Sequence, residues 1–329
     1  MNIVRRTFPL GFVWETADPF LFSVHHRDQF PAGTEHLGPA NLAGHQLGQD
    51  FDTSLDWRMY HGQVVPGFPS HPHRGFETVT VVLEGFIDHA DSGGGTGRFG
   101  NGDVQWMTAG SGLQHSEMFP LVHPNAPNPL ELFQIWLNLP AVKKMAPPHY
   151  RMLWSEKIPL EEKEGARIRI IAGVLDGVSA APPAPDSWAI DPAHELAIWL
   201  VDLEPGASWL LPAASPQVNR RVYLFEGSSV AIDGTTLTAD HGAELMPVAA
   251  TILNGAQLAR LLVLQGIPIG EPVAQQGPFV MNTPAELQQA FADYRRTQFG
   301  QWPWPRSDFV HPRAKGRFAQ YGDGTQEKP

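Results

Sequence analysis

Short runs of apolar and β-branched residues, separated by turns rich in glycine and proline, recur along most of the chain. Such runs are typical of β-strands, and the turn residues between them favour hairpins over long helices. The runs that we interpret as strands are 20–26, 57–61, 75–83, 86–89, 104–107, 130–139, 167–173, 196–201 and 222–225. The pattern predicts an all-β protein.

One segment near the carboxyl end has the pattern of an α-helix instead. Thr283 is a predicted N-cap, Pro284 takes the first helical position, and Glu286 completes a capping box. Apolar residues then follow at helical spacing on one face: Leu287, Ala290, Phe291 and Tyr294. We expect Gly300 to end this helix.

The length of 329 residues, of which 42% are hydrophobic, is enough for two domains with cores of their own. A proline-rich stretch at 140–160 is the expected crossing between them. We predict an N-terminal domain over 1–150 with an extended N-terminal segment, and a second domain over 151–300 that ends in the helix at about 283–299. A tail with prolines and aromatic residues follows over 301–329.

Composition excludes several kinds of function. The chain has 23 basic and 34 acidic residues, a formal net charge of −11, which disfavours direct binding to nucleic acid and leaves a protein partner open. It has no cysteine, so disulfides and thiolate ligands are excluded.

The N-terminal stretch gives a weak targeting signal. Arg5 and Arg6 form an arginine pair, but the apolar residues that follow are too few for a signal peptide. No run approaches the roughly 20 apolar residues of a membrane helix. We therefore expect a cytoplasmic protein with no membrane partner.

Two pairs of potential metal ligands stand out between the predicted strands. His71 and His73 are two residues apart, and so are His115 and Glu117. Alternate side chains of a strand share a face, so each pair would point one way. If both pairs face the inside of one barrel, three imidazoles and one carboxylate converge. This set suits Fe(II), Mn(II), Zn(II), Ni(II) or Cu(II), and ordinary core or surface histidines stay the alternative.

The remaining N-terminal histidines lack any such spacing. They are His25, His26, His36 and His45. We expect them to lie at the surface or in hydrogen bonds, not at a metal.

The residues around the ligand pairs resemble known motifs. The stretch 71–80 resembles the first motif of the pirin family, and 102–110 together with 115–118 resembles the second. The stretch 277–283 also resembles a motif near the end of pirins. Pirins are bicupins, so the resemblance implies two cupin (double-stranded β-helix, jelly-roll) barrels plus a C-terminal helix.

The resemblance also implies a metal centre. One divalent metal, in the first instance Fe(II), with Mn, Ni, Cu or Zn as alternatives, would lie in the N-terminal barrel. Its ligands would be His71, His73, His115 and Glu117. Glu77 stands near a ligand position of the general cupin motif, and we interpret it as a supporting hydrogen-bonding group that replaces Glu117 if Glu117 does not bind.

Three further residues are candidates for supporting the ligands or lining the pocket. They are Arg74, Gln114 and Trp106. A purely structural role is an equally open reading for each.

Four protein ligands on an octahedral metal leave two positions open. The resemblance makes quercetin 2,3-dioxygenase activity the leading hypothesis, with a small aromatic chelating substrate and O₂. Glu117 would then be the general base that removes the substrate's hydroxyl proton. The alternative is a metal- or redox-sensitive regulator that binds a protein partner without turnover.

A faint internal repeat allows the two domains to be compared position by position, and they differ at the metal-ligand positions. Leu83-Glu84-Gly85 resembles Phe225-Glu226-Gly227, 142 residues later. The same offset places Ala213 and Ser215 at the positions of His71 and His73. We therefore expect no metal site of this kind in the second domain.

Overall fold

The computed structural model of the chain describes residues 3–329, and antiparallel β-strands dominate it. The first strands are β1 Val4–Pro9, β2 Val13–Trp14, β3 Phe20–Phe30, β4 Gly67–His73, β5 Phe76–Glu84, β6 Phe86–Asp91, β7 Thr96–Gly100, β8 Val104–Thr108, β9 Leu113–Met118, β10 Asn128–Asn138, β11 His149–Leu153, β12 Leu160–Lys163, β13 Ala166–Ala172, β14 Val174–Leu175 and β15 Val178–Ser179. The others are β16 Ala197–Leu203, β17 Ser208–Leu211, β18 Asn219–Glu226, β19 Ser229–Ile232, β20 Thr235–Thr238, β21 His241–Leu245, β22 Ala250–Asn254, β23 Ala259–Gly266, β24 Ala274–Gln276, β25 Phe279–Met281, β26 Phe318–Gln320 and β27 Gln326–Glu327.

One α-helix, α1, occurs in residues 3–329, at Pro284–Thr297. Short 3₁₀ turns lie at Ala141–Lys143, Ser155–Lys157, Trp188–Ile190 and Pro192–His194. This composition confirms the all-β prediction with a C-terminal helix. No helix in the described part of the chain is long and apolar enough to cross a membrane.

The described residues form two compact units. Unit N contains residues 24–156 and 271–329, and unit C contains residues 3–23 and 157–270. The predicted linear division at 150 therefore differs from the spatial grouping. The N-terminal residues 3–23 are grouped with 157–270, and the C-terminal residues 271–329 are grouped with 24–156.

Besides the short pair β14-β15, unit C contains two larger antiparallel sheets. One has the strand order β1-β21-β18-β23-β16-β13-β12, and the other has the order β17-β22-β19-β20. Alternate residues such as Trp199, Val201 and Leu203 turn into the space between the sheets, where they form one apolar core with Trp209 and Ile252.

Besides the short pair β24-β25, unit N contains two larger sheets of its own. One has the order β27-β26-β7-β6-β9-β4, and in the other β11-β8-β5-β10 is followed by β3. The threonine Thr80 on β5 donates a hydrogen bond to Glu117 on β9. The inner faces of these two sheets therefore meet around polar groups as well as apolar ones.

The prediction of a strand at 57–61 was wrong. Only Tyr60 makes an isolated bridge there, and its φ of 56° is incompatible with an extended strand. Two side chains of the segment instead bind one buried carboxylate. Arg58 Nε and the Tyr60 hydroxyl donate to Asp28 at 2.9 and 2.7 Å.

The predicted helix is confirmed, including its capping box between Thr283 and Glu286. It ends earlier than expected, because Gln298 already has the left-handed conformation, with φ of 52°. Its buried residues pack on β25 in unit N. The helix therefore packs on the N-terminal barrel, although it follows the second barrel in the sequence.

The tail after α1 adds strands to the sheet of unit N. β26 pairs with β7, which would otherwise be an edge. Arg98 is buried and donates two hydrogen bonds to Asp88, at 2.6 and 2.7 Å. Its other N–H groups donate to backbone oxygens of the tail, including those of His311 and Lys315. One buried guanidinium thus ties the tail to the barrel.

Candidate metal centre

The register of β4 and β9 brings the predicted ligand pairs together. His71 lies directly opposite His115, and directly opposed residues of antiparallel strands share a face. β4 is the last strand of its sheet, so Pro72 within it removes no ladder hydrogen bond on the free side. The edge position explains how a His-Pro-His sequence can be a strand.

Three imidazoles form a compact triangle inside unit N. The ring centroids of His71 and His73 are 4.8 Å apart, those of His71 and His115 are 4.5 Å apart, and those of His73 and His115 are 4.9 Å apart. One nitrogen of each ring lies within 4.8 Å of the others. The three rings are thus grouped as a metal site requires.

Backbone oxygens orient two of the rings. His71 Nδ1 donates to the carbonyl of Pro69 at 2.9 Å, and His73 Nδ1 donates to the carbonyl of Pro278 at 3.4 Å. A hydrogen bond at Nδ1 fixes the proton there and leaves Nε2 with its lone pair. Nε2 is then the nitrogen of each ring that can bind a metal.

Burial keeps these imidazoles neutral. Desolvation lowers the pKa of His71 to about 4 and holds the pKa values of His73 and His115 well below their usual range. His115 is fully buried, and neither of its ring nitrogens has a hydrogen-bond partner among residues 3–329. Because an unpaired buried polar atom is costly, a metal ligated by His115 fits the site.

The carboxylate of Glu117 lies beside the triangle, with Oε2 at 3.9 Å from His115 Nε2. Thr80 Oγ1 is 3.0 Å from Glu117 Oε1, and Gln134 Nε2 donates to Oε2 at 3.1 Å. Burial raises the pKa of Glu117, while the charge of His89 and these two hydrogen bonds oppose that rise. The side chain is therefore poised to hold a proton more readily than an exposed glutamate.

The hydrogen bonds between Glu117, Thr80 and Gln134 depend on whether Glu117 is protonated. Thr80 Oγ1 has one hydrogen, yet it also lies 2.6 Å from the acceptor Gln134 Oε1. If Glu117 is protonated at Oε1, it can donate to Thr80 Oγ1, and Thr80 can donate to Gln134 Oε1. Gln134 Nε2 then donates to Glu117 Oε2. This closed ring satisfies all three groups, so the surroundings accept a protonated Glu117 without an unpaired atom.

Glu77 and Trp106 face away from the triangle. Thr80 on β5 points at Glu117, so the odd-numbered residues of β5 point to the other face of the strand. Glu77 accepts a hydrogen bond from Thr108 Oγ1 at 2.6 Å there, and Trp106 lies opposite Val79 on the same side.

Arg74 and Gln114 connect the strands to α1 and the turn after it. Arg74 donates to Asp293 at 2.9 Å, and its guanidinium lies 4.4 Å from the ring of Phe299. Gln114 Nε2 donates to the carbonyl of Gln298 at 2.5 Å. Both residues hold the end of the helix against the barrel.

Several neighbours of the triangle were not anticipated from sequence. His89 is buried opposite Glu117 on β6, donates from Nε2 to Asp91 at 3.0 Å, and lies 5.6 Å from the His115 ring. Its spacing of two residues from Asp91 is the signal that would have drawn attention to it. Thr80 and Gln134 carry no such signal, because they meet Glu117 from strands remote in sequence.

The other N-terminal histidines take different places. His26 Nδ1 is 2.9 Å from the Tyr60 hydroxyl, and His45 Nδ1 is 2.7 Å from Asp50. His25 Nε2 is 2.9 Å from Glu131, while His36 is exposed beside Glu35.

Side chains that are only partly buried mark an opening beside the histidines. Phe68, His71, Gln134 and Trp136 all retain access to solvent. The Trp136 ring lies 5.2 Å from His73, and the Phe68 ring lies 6.3 Å from His71. An aromatic side chain thus flanks each histidine of β4.

Comparison with known proteins assigns both halves of the chain. The family model "Pirin" matches residues 14–137, and the model "Pirin C-terminal cupin domain" matches residues 198–300. These matches confirm the prediction of two cupin-type domains.

Individual relatives agree with the family models. The chain is 39% identical to the "Pirin-like protein" of Solanum lycopersicum over 233 residues, which is 70% of this chain and 75% of the relative. It is 40% identical over 240 residues to the Pseudomonas aeruginosa protein named "Putative quercetin 2,3-dioxygenase PA3240", covering 70% of this chain and 79% of the relative.

A solved structure resembles most of the chain. The crystal structure of quercetin 2,3-dioxygenase from Acinetobacter baumannii matches with a TM-score of 0.73 and 27% identity, over 92% of this chain and 99% of that one.

Proposed function

Because this chain belongs to the pirin family, we propose that it is a metal-dependent dioxygenase of the quercetinase type. The observation that carries the proposal is the triangle of the partly exposed His71 and the buried His73 and His115, beside Glu117 and next to a solvent opening. The substrate would be a flavonol or a similar chelating aromatic molecule, used with O₂.

We propose His71, His73, His115 and Glu117 as the ligands of one Fe(II). Imidazole and carboxylate donors suit iron, although they also suit other divalent metals. When bound, the metal would supply Lewis acidity and a redox centre for the chemistry of O₂. The neutral state of the three imidazoles, maintained by burial, favours its binding.

Glu117 would act as the general base. Its raised pKa favours taking a proton from the substrate hydroxyl, and Thr80 and Gln134 would stabilise the protonated form through the closed ring of hydrogen bonds. Thr80 and Gln134 are thus positioning residues, since they act through Glu117.

The opening beside the triangle has walls suited to a flat aromatic ligand. Phe68 lies beside His71 and Trp136 lies beside His73, and both rings keep some access to solvent. Contact with these rings would orient a flavonol while its oxygens lie near His71 and His73.

The test is O₂ uptake by the full chain after anaerobic loading with Fe(II), started by quercetin. We expect saturable uptake that is lost in His73→Ala and retained in His36→Ala, a histidine exposed at the surface. Iron bound at one per chain without uptake would reject quercetinase activity. That outcome would favour the regulator hypothesis, which requires metal-dependent binding of a protein partner without turnover.

A further inference from the structure

Unit C exposes an edge strand that carries no charge. β17 is the first strand of the sheet β17-β22-β19-β20, so one side of it has no neighbouring strand among the described residues. Residues 205–219, which include β17, contain no charged side chain, although the chain has a formal net charge of −11. Ser208 and Leu210 are exposed, and Leu210 keeps 62% of its surface. An edge of this kind can pair with another strand.

The pairing of the sheet shows which backbone groups of β17 point away from it. The N–H of Asp233 donates to the carbonyl of Thr251, on the side of β22 that faces β19. Leu210 lies opposite Thr251, so the N–H and C=O of Leu210 point away from β22, and so do those of Ser208, two residues earlier. No hydrogen bond among residues 3–329 uses these four groups. β17 therefore presents two free donors and two free acceptors.

The other edge strands of the four larger sheets are protected. Charged side chains lie in β1, β11, β12 and β27, and Glu15 directly follows β2. The edge of β4 is covered, because the backbone N–H of Ser70 donates to the carbonyl of Ser307 in the tail. β20 is uncharged, but pairing of two copies of β20 would bring Asp233 of one copy close to Asp240 of the other. Among the edges of these sheets in residues 3–329, β17 alone lacks such protection.

The free groups of β17 are complementary to those of a second copy. In an antiparallel pair with a two-fold axis beside Trp209, Ser208 of each copy lies opposite Leu210 of the other, and all four groups of each copy are satisfied. In one neighbouring register Pro212 lies opposite Ser208 and offers no N–H. In the other, Gly206 lies opposite Leu210, and its N–H is already bonded within unit C. The register centred on Trp209 is therefore the one that leaves no group unpaired.

From this geometry we infer that β17 is a self-association edge, through which two copies of the chain pair antiparallel and form one continuous eight-stranded sheet. Self-pairing brings each residue near the same segment of the second copy, so any charge in the segment would meet a like charge. The absence of charge over 205–219 therefore favours a second copy as the partner, in a chain whose net charge otherwise keeps copies apart. The interface needs no metal and is independent of the proposed dioxygenase reaction.

The first measurement is sedimentation equilibrium of the metal-free full chain from about 10 µM to about 1 mM. Because β17 has only 4 residues, the contact is small, and we expect a weak and reversible dimer. The average mass should rise with concentration towards that of two chains and no further, because self-pairing leaves no second β17 edge free. A mass that stays at one chain over the whole range would overturn the inference.

Proline variants separate the edge from the fold. Ser208→Pro removes an N–H that points away from β22, so the sheet of unit C loses no hydrogen bond. We expect it to weaken the dimer about tenfold or more, because one hydrogen bond is lost at each of two symmetric positions. Thr236→Pro is the matched control at an outward position of β20, and it should leave the association within about twofold. Association that is unchanged by Ser208→Pro, or weakened equally by both variants, would contradict pairing of β17 with itself.

Cysteine variants test the register, because the chain has no cysteine of its own. Opposed residues of a hydrogen-bonded antiparallel pair have Cα atoms about 5.5 Å apart, which is within the range of a disulfide. A mixture of Ser208→Cys and Leu210→Cys proteins should form a linked dimer under mild oxidation faster than either variant alone. It should also do so faster than a mixture of Ser208→Cys and Thr236→Cys. If Ser208→Pro does not fold, this experiment decides instead, and equal rates in all mixtures would refute the pairing.

Discussion

The hydroxyl of Thr80 provides a sensitive test of how the barrel tunes Glu117. Thr80 is fully buried, and its Oγ1 lies 3.0 Å from Glu117 Oε1 and 2.6 Å from Gln134 Oε1. Thr80→Val keeps the shape of the side chain and removes only this polar group. The charged carboxylate then loses one donor, so the pKa of Glu117, already raised by burial, should rise further.

The size of the shift follows from the hydrogen bond that is lost. A hydrogen bond to a charged group contributes about 1.5–3 kcal/mol, and one pKa unit corresponds to about 1.4 kcal/mol. Thr80 also stabilises the protonated form by accepting from it, so the two losses partly cancel. We therefore expect an upward shift at the low end, about one unit.

The assay is a ¹³C NMR titration of the Glu117 carboxyl carbon in the metal-free protein. The acidic limb of kcat/KM for O₂ uptake should move to higher pH in parallel. Thr78→Val is a matched control, because Thr78 is equally buried on the same face of β5 and its hydroxyl has no partner among the described residues. A pKa of Glu117 that stays constant or falls in Thr80→Val would refute this account of the base.

Three further outcomes can be checked. His73→Ala should lose stoichiometric metal by elemental analysis, whereas His36→Ala should keep it. Three imidazoles of ordinary pKa would lose roughly a thousandfold in Zn(II) affinity between pH 7.5 and 5.5, because each becomes protonated over that range. We expect a far smaller fall here, because burial lowers the pKa of His71 to about 4 and also lowers the pKa values of His73 and His115. A thousandfold fall in a pH series of metal titrations would contradict this. Arg98→Met should cost about 3–5 kcal/mol in urea unfolding, since the buried Asp88 loses its cationic partner and, among the described residues, keeps only the hydrogen bond from the backbone N–H of His311. Arg306→Met, at an exposed ion pair, should cost less than about 1 kcal/mol, and equal losses would argue against the role of Arg98.

The C-terminal segment 271–329 packs against residues that are far from it in sequence. The segment 271–329 joins unit N, where α1 packs on β25 and the tail extends the sheet through β26. The residues that hold these contacts, Arg74, Arg98 and Gln114, lie in the N-terminal half. Truncation of the tail would therefore expose the barrel that carries the histidines.

Much of the candidate site could be predicted because it depends on local periodicity. The i, i+2 spacing puts His71 with His73 and His115 with Glu117 whatever the partners are, and alternation along a strand enforces it. The capping box of Thr283 and Glu286 is likewise closed within one turn of helix, and the structure confirms it. Local sequence was sufficient for eight of the nine predicted strands, the exception being 57–61, and for the helix α1.

Other features depend on contacts between residues that are distant in sequence. β5 is buried on both faces and has polar residues on each, so alternation alone cannot decide that Thr80 points to Glu117 while Glu77 points away. Tyr60 leaves the extended conformation because Asp28, 32 residues earlier, binds its hydroxyl. Sequence therefore determined which residues of a strand share a face. Only the packing of the two sheets of unit N decided which face of each strand surrounds the three histidines. The reason is that the residues contacted by each face come from strands far away along the chain.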